Sequence, residues 1–600
     1  MRTLVVGGGA AVERLVARWL VRRGVAAQVL AAAADEAQLV HLPAPAWCES
    51  QEANMVVLAR LKDERWSRTM AKIAAAEAVD PERFDRLLSQ SFALGWGLKL
   101  AKIRMCLAVL DDPHIRLASD LPPALRGAFM AEFNGRVVPT RFASVILRTV
   151  SGTQTLARTL ARHAVRIVRF VRLVSLPRKP SRVPSYVAWL GALRSEVTGS
   201  GPDKLSLTEF LAEARAATGM DEIVIQGASP TMSPSNIVHR PHTPPLRYRP
   251  RVSALLAAVV DQARLAISDV AEAFDFRRRT LVGPVLLELP ALRLWFSVDP
   301  PRAVLYCNPS IGAEPPVALL SSAFRVPSMM VFYSANVCHR HPPSRPDGLS
   351  VELEPEQRFI AADRLTMWSK EMTQAYLAAG YPQERLVETG PVVFGRHQGF
   401  RPTSRFLTDH RGPLRIGIFD VSVFKPRRRF ELGYGQLIYN PQYAEQFFRD
   451  ILTAARERFG DGFVIVRKIK RALGPHHMDD VDFTRLPPAT FVARDPDESL
   501  WRVLEVVDVV LCMPFTSVAH LADEYGIPAA YYDPSGTVAP SPLGGRAALL
   551  QSRAALDQWL AAPVCSVPRD PGELVGPKVI ASAIGDGLIR GMNPMTNLED

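Results

Sequence analysis

Short apolar runs and longer stretches of helical periodicity alternate along most of this 600-residue chain. RTLVV reads as a strand. VERLVARWLVRRG follows with apolar positions at helical spacing and a glycine stop, and a second strand closes the unit by residue 30, the opening of a βαβ unit. From about 65 to 200 the pattern is mainly helical, and residues 226–250, dense in Pro, Ser and His, read as a loop. AVLYC (303–307), SMMVFYS (328–334), RLTMWS (364–369) and RLVETG (385–390) read as strands, with the helix EMTQAYLAAG (371–380) stopped by Gly380. Residues 396–413 are polar and aperiodic, a linker. Then a second rhythm begins: strand LRIGIFD (414–420), amphipathic helix 443–460, strands FVIVRK (463–468) and TFVARD (490–495), helix ESLWRVLEVV (498–507), and strand DVVLCM (508–513). That last strand runs into PFTS, the helix VAHLADEYG and the strand IPAAYYD, and a returning helix is expected within 569–590.

The alternation predicts an α/β protein with parallel sheets. It divides the chain into an N-terminal α/β domain (1–395) with a helical basic insertion at about 65–200, the linker 396–413, and a C-terminal α/β domain (414–600). The glycines after the first strand do not make a dinucleotide fingerprint. Gly7 and Gly9 fit, but the third required glycine falls on Val12.

Charge changes the picture at one place. The net charge is +12, from 72 Lys+Arg and 60 Asp+Glu. Twelve of the cations lie between Phe133 and Ser195, where no Asp or Glu occurs, so the rest of the chain is balanced. Within this segment Arg158, Arg162, Arg166 and Arg169 are spaced to line one helix face, and Leu156, Leu160, Ile167, Val171 and Val174 form an apolar stripe on another. A basic amphipathic helix predicts an anionic membrane surface as partner. A solvated basic face is the plain alternative. No helix-turn-helix, zinc-finger or RNP pattern accompanies the patch, so nucleic acid is not the expected partner. No window of about 20 residues is apolar enough to span a bilayer. The N-terminus is not read as a signal peptide, and six scattered cysteines read as reduced thiols. The expected location is cytoplasmic, peripheral at the inner face of a membrane. No metal site is expected, and His476 and His477 are read as part of a polar loop.

Candidate chemistry gathers where strands end. After Met513, Pro514 and Phe515 lead to Thr516 and Ser517, and a helix starts at once. Ligands bind at the carboxyl ends of strands in open α/β sheets, and a helix N-terminus there suits phosphate. A simple N-cap explains one hydroxyl, not the pair. Lys468, Lys470 and Arg471 leave the strand FVIV, and Lys425 follows the first strand of the second half, which ends at Asp420. Such cations neutralise phosphates. In the first half, Asn308, Ser310, Glu314, Ser334, Asn336 and His339 follow strands and suit a hydroxyl-rich ligand.

Two α/β halves with a site at facing strand ends resemble a GT-B glycosyltransferase, two Rossmann-like domains facing each other. MWSKEMTQAYLAAGYPQERLVETGP resembles the end of the N-terminal half of bacterial surface-polysaccharide transferases. RKIKR and MPFTSVAHLADEYGIPAAYYDPSG resemble the polysaccharide biosynthesis proteins of the PFTS-motif family, over about the last 190 residues. The resemblance implies an enzyme moving a sugar from a nucleotide donor to a glycan or lipid-linked acceptor. Pro514, Phe515, Thr516, Ser517, Lys468, Lys470, Arg471 and Lys425 would bind the donor. Asp420 or Glu314 would deprotonate the acceptor hydroxyl, and Asn308, Ser310, Ser334, Asn336 and His339 would bind the acceptor. An electrostatic clamp of this kind makes a metal unnecessary, and no cofactor is assigned. Transferases using CMP-activated acidic sugars hold donor phosphate with a similar hydroxyl pair, but the His-Pro motif many of them carry does not occur in the second half, which leaves the donor open. A nucleotide-sugar epimerase, a polyol-phosphate transferase and a non-enzymatic membrane-docked scaffold are the alternatives.

Overall fold

The computed structural model describes residues 2–6, 10–23, 27–29, 44–62, 64–109, 115–121, 123–130, 133, 137–179, 185–190, 222–226, 237–240, 246–271, 281–307, 314–332, 353, 357–390, 412–421, 423, 440–468, 481–495, 498, 500–514, 516–536, 538, 540 and 546–563. Their strands form three sheets, of four, seven and six strands, and every strand pairing in them is parallel.

The first sheet holds β1 (Arg2–Val6), β2 (Ala27–Val29), β3 (Ile115–Ser119) and β4 (Val137–Pro139) in the order β2-β1-β3-β4. The helix Ala10–Arg22 joins β1 to β2, as the sequence predicts. The stretch from about 65 to 200 is the one expected to be a helical insertion in the N-terminal domain. It contains β3, which returns to β1, and β4, which pairs with β3, so that these strands form a sheet of their own. These strands are three to five residues long, and the helices flanking them dominate the periodic signal.

The second sheet holds β5 (Tyr186–Leu190), β6 (Glu222–Gln226), β7 (Ile237–Arg240), β8 (Ala303–Cys307), β9 (Ser328–Val331), β10 (Arg364–Met367) and β11 (Leu386–Glu388). Its order is β11-β10-β9-β8-β5-β6-β7. β7 lies inside the segment expected to be loop. Four residues among prolines and serines give little sequence signal, and β7 forms only as an edge strand against β6. The helix Lys370–Ala378 appears where expected and ends before Gly380, whose φ of +88° suits the glycine stop.

The third sheet holds β12 (Leu414–Phe419), β13 (Phe463–Lys468), β14 (Phe491–Arg494), β15 (Val509–Cys512), β16 (Ala529–Tyr532) and β17 (Ala548–Leu550), in the order β14-β13-β12-β15-β16-β17. Side chains alternate across this sheet. Ile416, Ile418, Val509 and Leu511 face a core closed by the helices Pro441–Phe459 and Arg553–Ala561. Val510 and Cys512 face the opposite way, into the large core shared with the first two sheets. Gly417 allows close packing at the centre, since a Cβ there would meet Val507 Cγ1 at 3.0 Å.

Two ion pairs fix β12 at its ends. At the amino end, buried Asp508 accepts from Arg415 N, Nε and Nη2 at 2.7, 3.2 and 2.8 Å. At the carboxyl end, Arg467 donates to both oxygens of Asp420 at 2.9 and 2.7 Å. The linker expected at 396–413 lies outside the described residues up to residue 411, as does the returning helix expected at 569–590.

Candidate functional site at the strand ends of the third sheet

The strand order of the third sheet reverses between β12 and β15: the chain builds outward from β12 through β13 to β14, then returns to the other side. Loops leaving the two central strands therefore diverge to opposite faces and open a crevice outside their carboxyl ends. Asp420 follows β12 and the PFTS residues follow β15, so both flank this crevice. Lys468 ends β13, one strand away, about 5 Å beyond β12.

The turn after β15 is tight. Thr516 N–H and Thr516 Oγ1 both donate to Met513 O, at 3.2 and 3.0 Å. Thr516 is the N-cap of the helix Ser517–Glu524, with φ −65° and ψ 120°, but its hydroxyl bonds back to the strand and does not cap the helix. The first helical turn contains no acid, so the positive end of the helix dipole is not offset there. Thr516 and Ser517 are both part-exposed. This geometry suits an anion whose oxygens take bonds from a hydroxyl and from first-turn N–H groups.

On the β13 side, Asp420 N–H donates to Lys468 O at 3.0 Å, and Lys468 is largely buried at the strand end. The Asp420 carboxylate, 2% exposed, is gripped by Arg467, whose guanidinium also lies 4.3 Å from the Phe483 ring centroid. Arg467 is a site residue that the sequence reading missed. Its signal was present: a cation on the strand face that carries the core residues Phe463 and Ile465. Asp533, fully buried after β16, is a second such residue. It accepts from Tyr443 OH at 2.9 Å, Ser535 N at 3.0 Å and Val538 N at 2.8 Å, and so shapes the next loop on the same edge.

Glu314 does not stand at such an edge. Its carboxylate accepts from Ala361 N at 2.7 Å and Ala362 N at 2.9 Å, both just before the amino end of β10, and from Tyr306 OH. Gln90 Oε1 accepts from Glu314 N–H at 2.7 Å. Burial pushes the Glu314 carboxyl up to about 7, against the opposing pull of those hydrogen bonds. The Glu314 carboxylate thus anchors buried segments of chain, because its oxygens satisfy backbone donors that water cannot reach.

Of the other expected site residues, Pro514 is described, in the turn after β15. Phe515, Lys425, Lys470, Arg471, Asn308, Ser310, Ser334, Asn336 and His339 lie outside the described residues, as do His476 and His477. On the helix Arg141–Arg172, Arg158, Arg162 and Arg169 are exposed. Arg166 is turned inward against Glu288, and desolvation lowers its pKa to about 10. The basic face expected from spacing therefore loses its third member to a part-buried ion pair.

The PFTS helix also meets the second sheet. His520, one turn after Thr516, is buried with its ring against Trp368, which follows β10. The carboxyl edge of the second sheet and the helix after β15 are thereby in contact.

No curated protein matches the chain. Among solved structures, UDP-GlcNAc 2-epimerase from Neisseria meningitidis bound to UDP-GlcNAc is 10% identical, with 68% of this chain and 100% of that chain covered and a TM-score of 0.34. A variant of the wall teichoic acid polymerase TagF is 9% identical, with 74% and 98% covered and a TM-score of 0.35. MurG from Acinetobacter baumannii is 11% identical, with 68% and 95% covered and a TM-score of 0.30. These are distant likenesses. Residues 317–560, which run from the second sheet through the whole of the third and include Pro514, Thr516, Ser517, Asp420 and Lys468, match the family described as polysaccharide biosynthesis PFTS motif protein.

Proposed function

We propose that the protein is a glycosyltransferase of surface polysaccharide biosynthesis, moving a sugar from a nucleotide donor to a glycan or lipid-linked acceptor. The observation that carries this reading is the coincidence of the PFTS turn with the reversal of strand order in the third sheet. A hydroxyl pair, an uncompensated helix N-terminus and the strand-end cation Lys468 converge where a donor phosphate would sit. As the sugar–phosphate bond breaks, negative charge grows on the leaving phosphate, and fixed dipoles and cations there stabilise the transition state more than the bound donor. Lys470, Arg471 and Lys425 belong to the same proposed clamp. Asp420, paired with Arg467, serves in this reading as a positioning residue that holds the β12 and β13 ends together.

The loops at 307–314 and 333–341 are proposed to receive the acceptor. The exposed arginines Arg158, Arg162 and Arg169 are proposed to hold the enzyme at an anionic membrane surface, as a peripheral protein of the cytoplasmic face. Among the described residues no helix is long and apolar enough to cross a membrane.

The test is a thermal-shift and calorimetric screen of the full chain against CMP, UDP, GDP and dTDP. A nucleotide that binds only the native state stabilises it by about 2.7 kcal/mol at a hundredfold excess over Kd. A selective shift names the donor class. Conversion of a nucleotide sugar without acceptor would favour an epimerase, and no nucleotide binding at all would favour a scaffold.

A further inference from the structure

The helix Val252–Ala271 buries Ala258 and Leu265 in the core, yet it buries polar side chains beside them and leaves a row of large aliphatic ones outside. Gln262 and Asp269 are buried, flanking the His163 ring of the basic helix at 2.7 and 3.0 Å. Val252, Leu256, Val260, Ile267 and Val270 are exposed, from 47% at Val270 to 70% at Ile267. A surface helix ordinarily turns its apolar stripe to the core and its polar residues to water. Here five large aliphatic side chains at spacings of three, four and seven share the outer face, where Arg264, paired with Glu77 and Asp261, is the charged residue.

The basic helix Arg141–Arg172 shows the same excess beside its arginines, with Val165, Val168 and Val171 at least half exposed. The two helices run antiparallel. His163 meets Asp269 near one end, and Arg249 N–H donates to Pro177 O at 2.8 Å at the other. That second junction brings the exposed cations Arg178, Lys179, Arg249 and Arg251 next to exposed Val174 and Val252. Aliphatic side chains beside a run of cations complement an anionic bilayer: the cations meet lipid phosphates, and the aliphatic groups enter the boundary of the acyl region.

We infer that the helix Val252–Ala271 is a second membrane-contacting element, supplying the apolar part of a lipid-docking surface whose electrostatic part is the basic helix. The inference rests on the reading that the basic helix meets an anionic bilayer. It adds that attachment has a salt-insensitive component carried by Val252, Leu256 and Val260. These side chains face solvent, so they can be replaced without opening the core.

The experiment is co-sedimentation of the full chain with vesicles of phosphatidylcholine and phosphatidylglycerol, and with phosphatidylcholine alone, across a salt series. Val252→Ser, Leu256→Ser and Val260→Ser together are expected to weaken partitioning by about tenfold or more while leaving its salt dependence unchanged. Replacing Arg158, Arg162 and Arg169 with Gln is expected to flatten the salt dependence. Val252→Leu with Val260→Leu, which adds apolar area without threatening the fold, is expected to tighten binding. If the serine and leucine variants bind as the parent does while the glutamine variant is released, the inference is overturned and the basic-helix reading stands. If none of the variants differs from the parent, both are overturned. If the serine variant instead converts a vesicle-free dimer to monomer in sedimentation velocity, the row joins two copies of the chain, and the inference is likewise overturned.

Discussion

The indole of Trp368 and the imidazole of His520 lie 5.8 Å apart, centroid to centroid, with their planes tilted by 37°. Trp368 leaves the carboxyl end of β10, and its Nε1 donates to Phe332 O at 3.0 Å, at the start of the loop proposed to receive the acceptor. His520 is one helical turn beyond Thr516, in the turn proposed to hold the donor. One buried ring contact thus joins the two sides of the proposed reaction, and both rings sit in or against the large core that the sheets share.

A double-mutant cycle measures that contact. Trp368→Leu and His520→Leu are each expected to destabilise the protein, and their coupling, read from denaturant midpoints, should be about 0.5–1.5 kcal/mol, as for other ring pairs. Strict additivity would mean that the two rings do not interact energetically.

Glu314 gives a pH-dependent prediction. Its folded pKa, about 7, lies above the ordinary 4.5, so the folded state holds the proton more tightly than the unfolded one. Its contribution is fully present below about pH 4.5 and is lost as pH rises through 7, amounting to about 3 kcal/mol at most. Glu314→Gln places an NH2 group against a backbone N–H and should cost about 1–3 kcal/mol at low pH. Parent and variant should then converge as pH rises from 5 to 8, because the parent alone pays for burying a charge. A variant of unchanged stability with abolished transfer would instead restore Glu314 as the base.

Thr516 and Ser517 separate by function. Thr516→Ala removes a hydrogen bond to Met513 O and should cost about 0.5–1.5 kcal/mol of stability. Ser517→Ala should weaken nucleotide binding by about ten- to a hundredfold, the worth of one hydrogen bond to a charged group. The double variant should fold and fail to transfer. Full activity in it would remove the phosphate role from the turn.

Lys468 should affect the leaving nucleotide more than the acceptor. Lys468→Ala is expected to lower kcat by about 10²–10³-fold with little change in acceptor KM, since the stabilised charge develops on the donor phosphate. A loss confined to acceptor KM would place the clamp elsewhere.

Arg467 and Asp420 predict a different pattern. Arg467→Met leaves a buried carboxylate without its guanidinium and should cost about 3–5 kcal/mol, whereas Arg467→Met with Asp420→Leu should recover much of that loss. If Asp420→Asn alone keeps stability and abolishes kcat, the carboxylate is the acceptor base and not a positioning residue.

Local pattern settled which segments are strands and which are helices through most of the third sheet. β12, β13, β15 and the helices Pro441–Phe459 and Ser517–Glu524 all fall where periodicity and caps put them. Those signals act over four residues or fewer, through backbone hydrogen bonds and neighbouring side chains, so the sequence alone contains them. The PFTS turn at a strand-to-helix junction was legible for the same reason. Partnership between distant segments was not. That β3 returns to β1 depends on contacts across more than 100 residues of chain, as does the loss of Arg166 from the basic face to Glu288, 122 residues away. The pairing of Asp420 with Arg467 and the burial of Glu314 against Ala361, Ala362 and Tyr306 were decided in the same way. Each buried charge takes the best partner that the packed core brings within reach, and only the assembled sheets determine which partner that is.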